Sequence, residues 1–349
     1  MAQKSNAPTI EVVARLAGVS PMTVSRVING VGHVRDSTRE KVQAAITRLN
    51  YRPNTAAQRL AGSEQIRVGV LYSNPSAAYL SEFLVGLLDQ SSRAHVQLVV
   101  EKCDVEADES SHARELVASG IDGLVLPPPL CDMPELLATL VELGLPTVLV
   151  ASGRPDEFCN TVDIDDRRAA FEITRHVLAL GHQRIGFITG HPLQTASAHR
   201  LQGYRDALES AQIPFDESLV APGLFSYRSG LDAAEQLLTL EPRPTAVFAA
   251  NDDMAAAAVA VAHRQGLDVP SDLTVVGFDD TAIATTIWPE LSTIRQPIAE
   301  MARRAVELLV RQIRARRSGQ EDLVAHQVLE HELVRRQSDA APRVRPRVT

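Results

Sequence analysis

Along the first sixty residues, apolar positions recur every three or four residues. Ile10, Val13, Ala14 and Ala17 mark one helical face, and Gly18 ends that helix. Ser20 suits an N-cap and Pro21 the first helical position, where a missing N–H costs nothing. A second helix then runs through Met22, Val24, Val27 and Ile28 to Gly30, and a third opens on the capping box Ser37-Thr-Arg-Glu40 and presents Val42, Ala45, Ile46 and Leu49. Two helices joined by a short turn containing Gly form a helix-turn-helix pattern. After Pro53, Asn54 can cap a short helix that stops at Gly62-Ser63.

From Ile66 the pattern changes to short apolar runs alternating with longer amphipathic ones. Strands are predicted at Arg67–Leu71, Val96–Val100, Gly123–Leu126, Thr147–Val150, Arg184–Ile188, Ala246–Ala249 and Leu273–Phe278. Helical stretches between them include Glu82–Ser91, Arg167–Leu180, Arg200–Ala211, Gly230–Leu240, Asp253–Gln265 and Ile298–Arg314. Such alternation predicts parallel sheets covered by helices, and two sheets suit 349 residues better than one. Residues 337–349, aperiodic and rich in Pro and Arg, are expected to lack order, and no leucine heptads extend them into a coiled coil.

Charge sharpens this division. The chain carries −8 overall, yet residues 1–66 hold nine Lys/Arg against four Asp/Glu, so a basic head precedes an acidic body. That asymmetry points to a polyanion-binding module joined to a part with another task. Three distant cysteines, with no CxxC pair, exclude a disulfide framework and a cysteine zinc site. No apolar run reaches the ~20 residues of a membrane span, and no secretory apolar segment follows Met1, so a cytoplasmic, nucleoid-associated protein is expected.

In the second helix, Ser20, Thr23, Ser25 and Asn29 place small hydrogen-bonding groups where a helix N-terminus holds phosphates. Arg26 can reach a guanine edge. Pro21 and Met22 at its head make readout there apolar or shape-based. Beyond it, the short helix that Asn54 can cap presents Ala56, Ala57 and Leu60.

In the body, Asn251 and Asp279 each follow a strand, and the carboxyl ends of parallel strands are where open α/β sheets bind ligands. Carboxylate, amide and guanidinium groups suit a polyhydroxylated ligand, Arg200 adds donors, and Phe225 or Trp288 offers an apolar face to a sugar ring. Each residue has a structural alternative. Asn251 and Asp165-Asp166 suit helix caps, Arg200 an internal ion pair, and Trp288 packing. No GxxxxGK, GxGxxG, HExxH or GxSxG pattern appears, which argues against catalysis; no catalytic residue, metal or cofactor is assigned.

The segments Thr9–Asn29 and Tyr51–Ala61, with Leu180–Gly190, Arg200–Tyr204, Phe248–Asp252, Val275–Asp280 and Leu291–Pro297, resemble the LacI/GalR family of bacterial transcription repressors. The resemblance runs to about Arg336. It implies a helix-turn-helix DNA-binding domain at 1–62 with a hinge helix at 54–61, then a two-subdomain, type I periplasmic-binding-protein-like α/β body at 66–336. The first subdomain is expected at about 66–163 plus 294–325, the second at about 164–293 plus 326–336. It also implies a homodimer on pseudo-palindromic operator DNA, answering to a small-molecule effector, a sugar in the main reading and a nucleobase or corepressor in the alternative. Operator contacts are carried onto Ser20, Pro21, Met22, Thr23, Ser25, Arg26, Asn29, His33, Tyr51, Asn54, Ala57 and Leu60, and effector contacts onto Ser73, Arg200, Phe225, Asn251, Asp279 and Gln296. Ile298 stands where relatives often carry an aromatic ring.

Overall fold

Valine-rich runs bounded by Gly, Pro and Asp become strands throughout residues 66–343 of the computed structural model. It describes residues 9–29, 34–49, 65–103, 109–153, 157–320 and 323–343. The chain divides into two compact units, residues 1–65 and 66–349.

The head contains α1 (Ile10–Ala17), α2 (Pro21–Asn29) and α3 (Asp36–Leu49). Val13, Ala14, Val24, Val42 and Ala45 form its small buried core. Gly18 closes α1 in the left-handed conformation, φ 67°, which glycine adopts without strain. Ser20 Oγ accepts from Thr23 N at 3.2 Å, so α2 is capped as its sequence predicts. The expected capping box of α3 is displaced. The helix starts at Asp36, Arg35 O accepts from Thr38 N and Arg39 N, and Ser37 lies inside the first turn.

In the body, one sheet runs in the order β11-β5-β4-β3-β1-β2. Its strands are β1 (Arg67–Tyr72), β2 (Gln97–Lys102), β3 (Gly123–Leu126), β4 (Thr147–Val150), β5 (Asn160–Ile164) and β11 (His326–Leu329), all parallel. The other runs β12-β10-β9-β8-β6-β7, from β6 (Ile185–Ile188), β7 (Val220–Ala221), β8 (Ala246–Ala249), β9 (Thr274–Asp279), β10 (Ser292–Arg295) and β12 (Glu332–Val334). There β12 is antiparallel to β10, the one exception to the expected parallel pairing among the described strands.

Helices cover the sheets: α4 (Ala77–Ala94), α5 (Glu109–Ala118), α6 (Pro134–Glu142) and α12 (Ile298–Arg317) pack with the first lobe. With the second pack α7 (Asp166–Ala179), α8 (Thr195–Ser210), α9 (Tyr227–Leu238) and α10 (Asp252–Arg264), beside the single turn α11 (Ile283–Thr286). Asp165 accepts from Arg168 N at 2.9 Å, so it caps α7.

The lobe boundaries differ from expectation at two places. Ile294 and Arg295 pair within the second sheet, and His326–Leu329 pairs beside β5 in the first. The chain therefore passes between lobes after β5, after β10 and between β11 and β12. Residues 337–343, expected to lack order, are held in place. Ser338 is fully buried, its carbonyl accepts from Val275 N at 2.9 Å, and its hydroxyl accepts from Ser292 N at 2.8 Å. Asp339 bonds His176 at 2.8 Å and Ala340 O meets His182 at 2.8 Å. The Pro and Arg content conceals a short segment that satisfies the exposed backbone of β9.

Candidate functional site

In the head, α2 turns Val24 into the core and leaves Pro21, Met22 and Arg26 exposed; Met22 is 66% exposed, unusual for so large an apolar side chain. Ser20 Oγ and Thr23 Oγ1 bond each other at 2.9 Å at the helix start, and Ser25 is half-buried. Asn29 ends the helix. His33, Tyr51, Asn54, Ala57 and Leu60, with the expected hinge helix, lie outside the described residues.

The second site lies between the lobes of the body, at the carboxyl ends of both sheets. Asn74, Ser76, Tyr79, Pro128, Ala151, Gln194, Ala196, Arg200, Phe225, Asn251, Asp279 and Gln296 line it. Five of the six residues expected there come together from sequence positions nearly a hundred apart. Ser73 does not line the cavity; its neighbours Asn74 and Ser76 do. Trp288 is 75% exposed and is not among the lining residues, and Ile298 is buried in the core. Asn74, Ser76, Tyr79, Pro128, Ala151, Gln194 and Ala196 also line the cavity, and none of them was singled out as an individual residue. Asn74 and Ser76 lie in the loop that follows β1 and Tyr79 in the first turn of α4, a strand end where a contact could be read, but nothing in the local pattern marks the other four.

Arg200 is the centre of the site. Its Nε donates to Asp166 Oδ1 at 2.7 Å and its Nη1 to Ala250 O at 2.6 Å, and Nη1 lies 3.6 Å from Asp279 Oδ1. The guanidinium stacks 3.6 Å from the Phe278 ring and 5.6 Å from that of Phe225. The internal ion pair is thus present, within the cavity wall. Asn251 likewise does both jobs: Oδ1 caps α10 by accepting from Met254 N at 3.0 Å, and Nδ2 donates to Phe225 O at 3.0 Å. That bond steadies Phe225 in the left-handed region, φ 58°, where bulky residues are strained. Gly190 is required beneath the ring, since a Cβ there would sit 2.0 Å from Phe225 Cζ.

Asp279 and Asp280 also take positive φ, 113° and 58°. Gln296 Nε2 donates to Asp279 Oδ1 at 2.6 Å. Burial pushes the Asp279 carboxyl up to about 7, against the pull of Arg200 and the Gln296 bond. Burial, reinforced by the Asp279 charge, also raises Asp252 well above the usual carboxylate range. Asp252 belongs to the framework: it accepts from Thr281 N at 2.8 Å and Thr293 Oγ1 at 2.7 Å. Two buried polar atoms in the lining, Tyr79 Oη and Gln296 Oε1, have no protein partner. A cavity wall that holds unpaired oxygens beside a cation and a carboxyl group is suited to a ligand rich in hydroxyl or amide groups. Among the described residues, no cluster of His, Cys, Asp and Glu could hold a metal ion.

Residues 9–54 match the bacterial regulatory proteins of the lacI family, and residues 174–338 match the periplasmic binding protein-like domain. The chain is 36% identical over 343 residues to the HTH-type transcriptional regulator CelR of Thermobifida fusca, covering 96% of this chain and 99% of that one. The chain belongs to the LacI family. This LacI-family regulator is also 34% identical over 307 residues to catabolite control protein A of Priestia megaterium, covering 87% and 92% of the two chains. It is 31% identical over 314 residues to the repressor PurR of Photobacterium profundum, covering 88% and 92%. Among solved structures, the CelR–cellobiose complex superposes with a TM-score of 0.71 at 35% identity, covering 95% of this chain and 99% of the other. A Lac repressor dimer bound to operator and the anti-inducer ONPF gives 0.71 at 31% identity, covering 96% and 100%. The LacI-family protein is therefore a DNA-binding transcriptional regulator with an effector-binding body. Among the described residues no helix is long and apolar enough to cross a membrane.

Proposed function

We propose that the chain is a cytoplasmic repressor whose hold on a pseudo-palindromic operator is set by a small carbohydrate, acting as inducer. The observation that carries this reading is the interlobe cavity, where Arg200, Asp279, Gln296 and the Phe225 ring converge. Groups with two acceptors or a donor fork engage vicinal hydroxyls, and an aromatic face covers the apolar side of a sugar ring. In the operator complex, Ser20, Thr23, Ser25 and Asn29 hold backbone, Arg26 reads a base edge, Met22 makes apolar contact, and Leu60 wedges the minor groove. Two copies read the two half-sites. Val85 and Leu88, 58% and 59% exposed on α4, give the body an apolar strip for that pairing.

The similarity to PurR keeps a nucleobase as the second reading. An operator selected from random DNA with the full chain, then titrated by fluorescence anisotropy against panels of sugars and nucleobases, tests both. Weaker operator binding with one sugar supports the proposal. A response to nucleobases alone, or tighter binding with sugar, overturns the carbohydrate-inducer reading. Arg26→Ala is expected to cost about 1–3 kcal/mol and to relax preference at one position per half-site.

A further inference from the structure

We propose that Asp132 is a positioning residue that clasps the cleft shut, capping from the first lobe the helix of the second lobe that carries Arg200. Asp132 lies in the short 3-10 turn Leu130–Asp132 that follows β3. Its Oδ2 accepts from Thr195 N at 2.9 Å and its Oδ1 from Thr195 Oγ1 at 2.8 Å. Thr195 is the first residue of α8, and the helix's own N-cap residue, Gln194, makes no capping bond. A helix start leaves its first amides without intrahelical partners, and a carboxylate there also meets the positive end of the helix dipole. Here the capping group comes from 63 positions away in sequence, across the cavity.

A second bond spans the cleft nearby. Ser76, the N-cap of α4, donates to Asp253 Oδ2 at 2.5 Å, and Asp253 stands in the first turn of α10. With both bonds made, the cavity holds about 30 Å³ of open space. A sugar- or base-sized ligand needs on the order of 300 Å³, so entry requires the lobes to part and the clasp to break. Asp132 thereby holds the first turn of α8, sets the position from which Arg200 projects one turn further on, and biases the lobes towards closure. That gating role rests on the effector reading above; the clasp itself does not depend on any ligand.

Spin labels at Val141→Cys on α6 and Arg228→Cys on α9 report the separation of the lobes in the ligand-free full chain; both sites are exposed, and Cys103, Cys131 and Cys159 are buried. Pulsed electron–electron spectroscopy is expected to show one closed separation in the parent. In Asp132→Ala the closed-to-open ratio should fall about five- to tenfold, the usual loss for a helix cap. Asp132→Asn, whose amide oxygen still accepts from Thr195 N, should stay near the parent. Thr195→Val, which removes one of the two bonds, should shift in the same direction as Asp132→Ala by less, and serves if the alanine variant does not fold. Parent-like separations in every folded variant, or an Asp132→Asn variant as open as Asp132→Ala, would overturn the clasp. Failure of every compound in the effector panels would overturn the effector reading and leave this measurement intact.

Discussion

Replacing Arg200 by Met is expected to destabilise the body before any question of ligand arises. Arg200 and Asp166 are 5% and 2% exposed in their side chains and bond at 2.7 Å, so the substitution leaves a buried carboxylate without its cation. Breaking such a pair from one side costs about 3–5 kcal/mol. Asp166 sits in the first turn of α7, where the helix dipole returns up to roughly 1 kcal/mol. Methionine retains part of the packing between the Phe278 and Phe225 rings, so packing loss adds little. A net loss of about 2–4 kcal/mol follows, a fall in melting temperature of roughly 3–7 °C for a body of this size. Thermal and urea unfolding of the full chain, followed by circular dichroism, measure it. The second variant is decisive: Asp166→Asn added to Arg200→Met removes the orphaned charge and should recover at least half of the loss. A melting temperature within 2 °C of the parent on the order of experimental error, or no recovery in the double variant, would refute the reasoning and leave Arg200 as a ligand group alone.

Asp279 should make stability fall as pH rises. Its folded-state carboxyl is raised from 3.8 to about 7, so over that window the folded state holds more protons than the unfolded one, and the contribution declines until it is lost above about 7. Asp279→Asn, which retains an acceptor for Gln296, should flatten the slope of urea midpoint against pH in that range. Truncation after Arg336 removes the partners of Val275 N, Ser292 N and His182 Nε2, and should lower the melting temperature by several degrees, seen in the same thermal scans. Gly203→Ala would place a Cβ 2.1 Å from Arg167 O where α7 and α8 touch; calorimetric unfolding should register a loss of about 1–3 kcal/mol.

The periodicity of the chain was enough to place the helix-turn-helix, most of the central strands and the helices between them. Those elements are written locally: Val68 and Val70 stand in an apolar run, and Ser20 caps the helix that begins one residue later. Asn251 and Asp279 were legible because they stand at the ends of strands, and Phe225 as an aromatic face; Gln296 was marked by the family resemblance alone, and Arg200, expected to open a helix, lies inside α8. The strand Asn160–Ile164 was not, since its polar Asn160, Thr161 and Asp163 are buried by pairing partners that no local window contains. The same holds for His326–Leu329 and Glu332–Val334, short edge strands whose membership in one sheet or the other is decided by where the chain crosses. Residues 337–343 read as a loose tail because composition reports what a segment can bury by itself, whereas Ser338 is ordered by the backbone groups of β9 and β10 that await it. Arg200 shows the division most plainly. Its sequence position marked it as either a ligand group or an ion-pair partner, and only the packing of α8 against α7 and β9 sets Asp166, Ala250 and Asp279 around one guanidinium. A side chain's local pattern determines which element it joins, but its electrostatic role depends on charges brought near by distant parts of the chain, and those are set by tertiary packing.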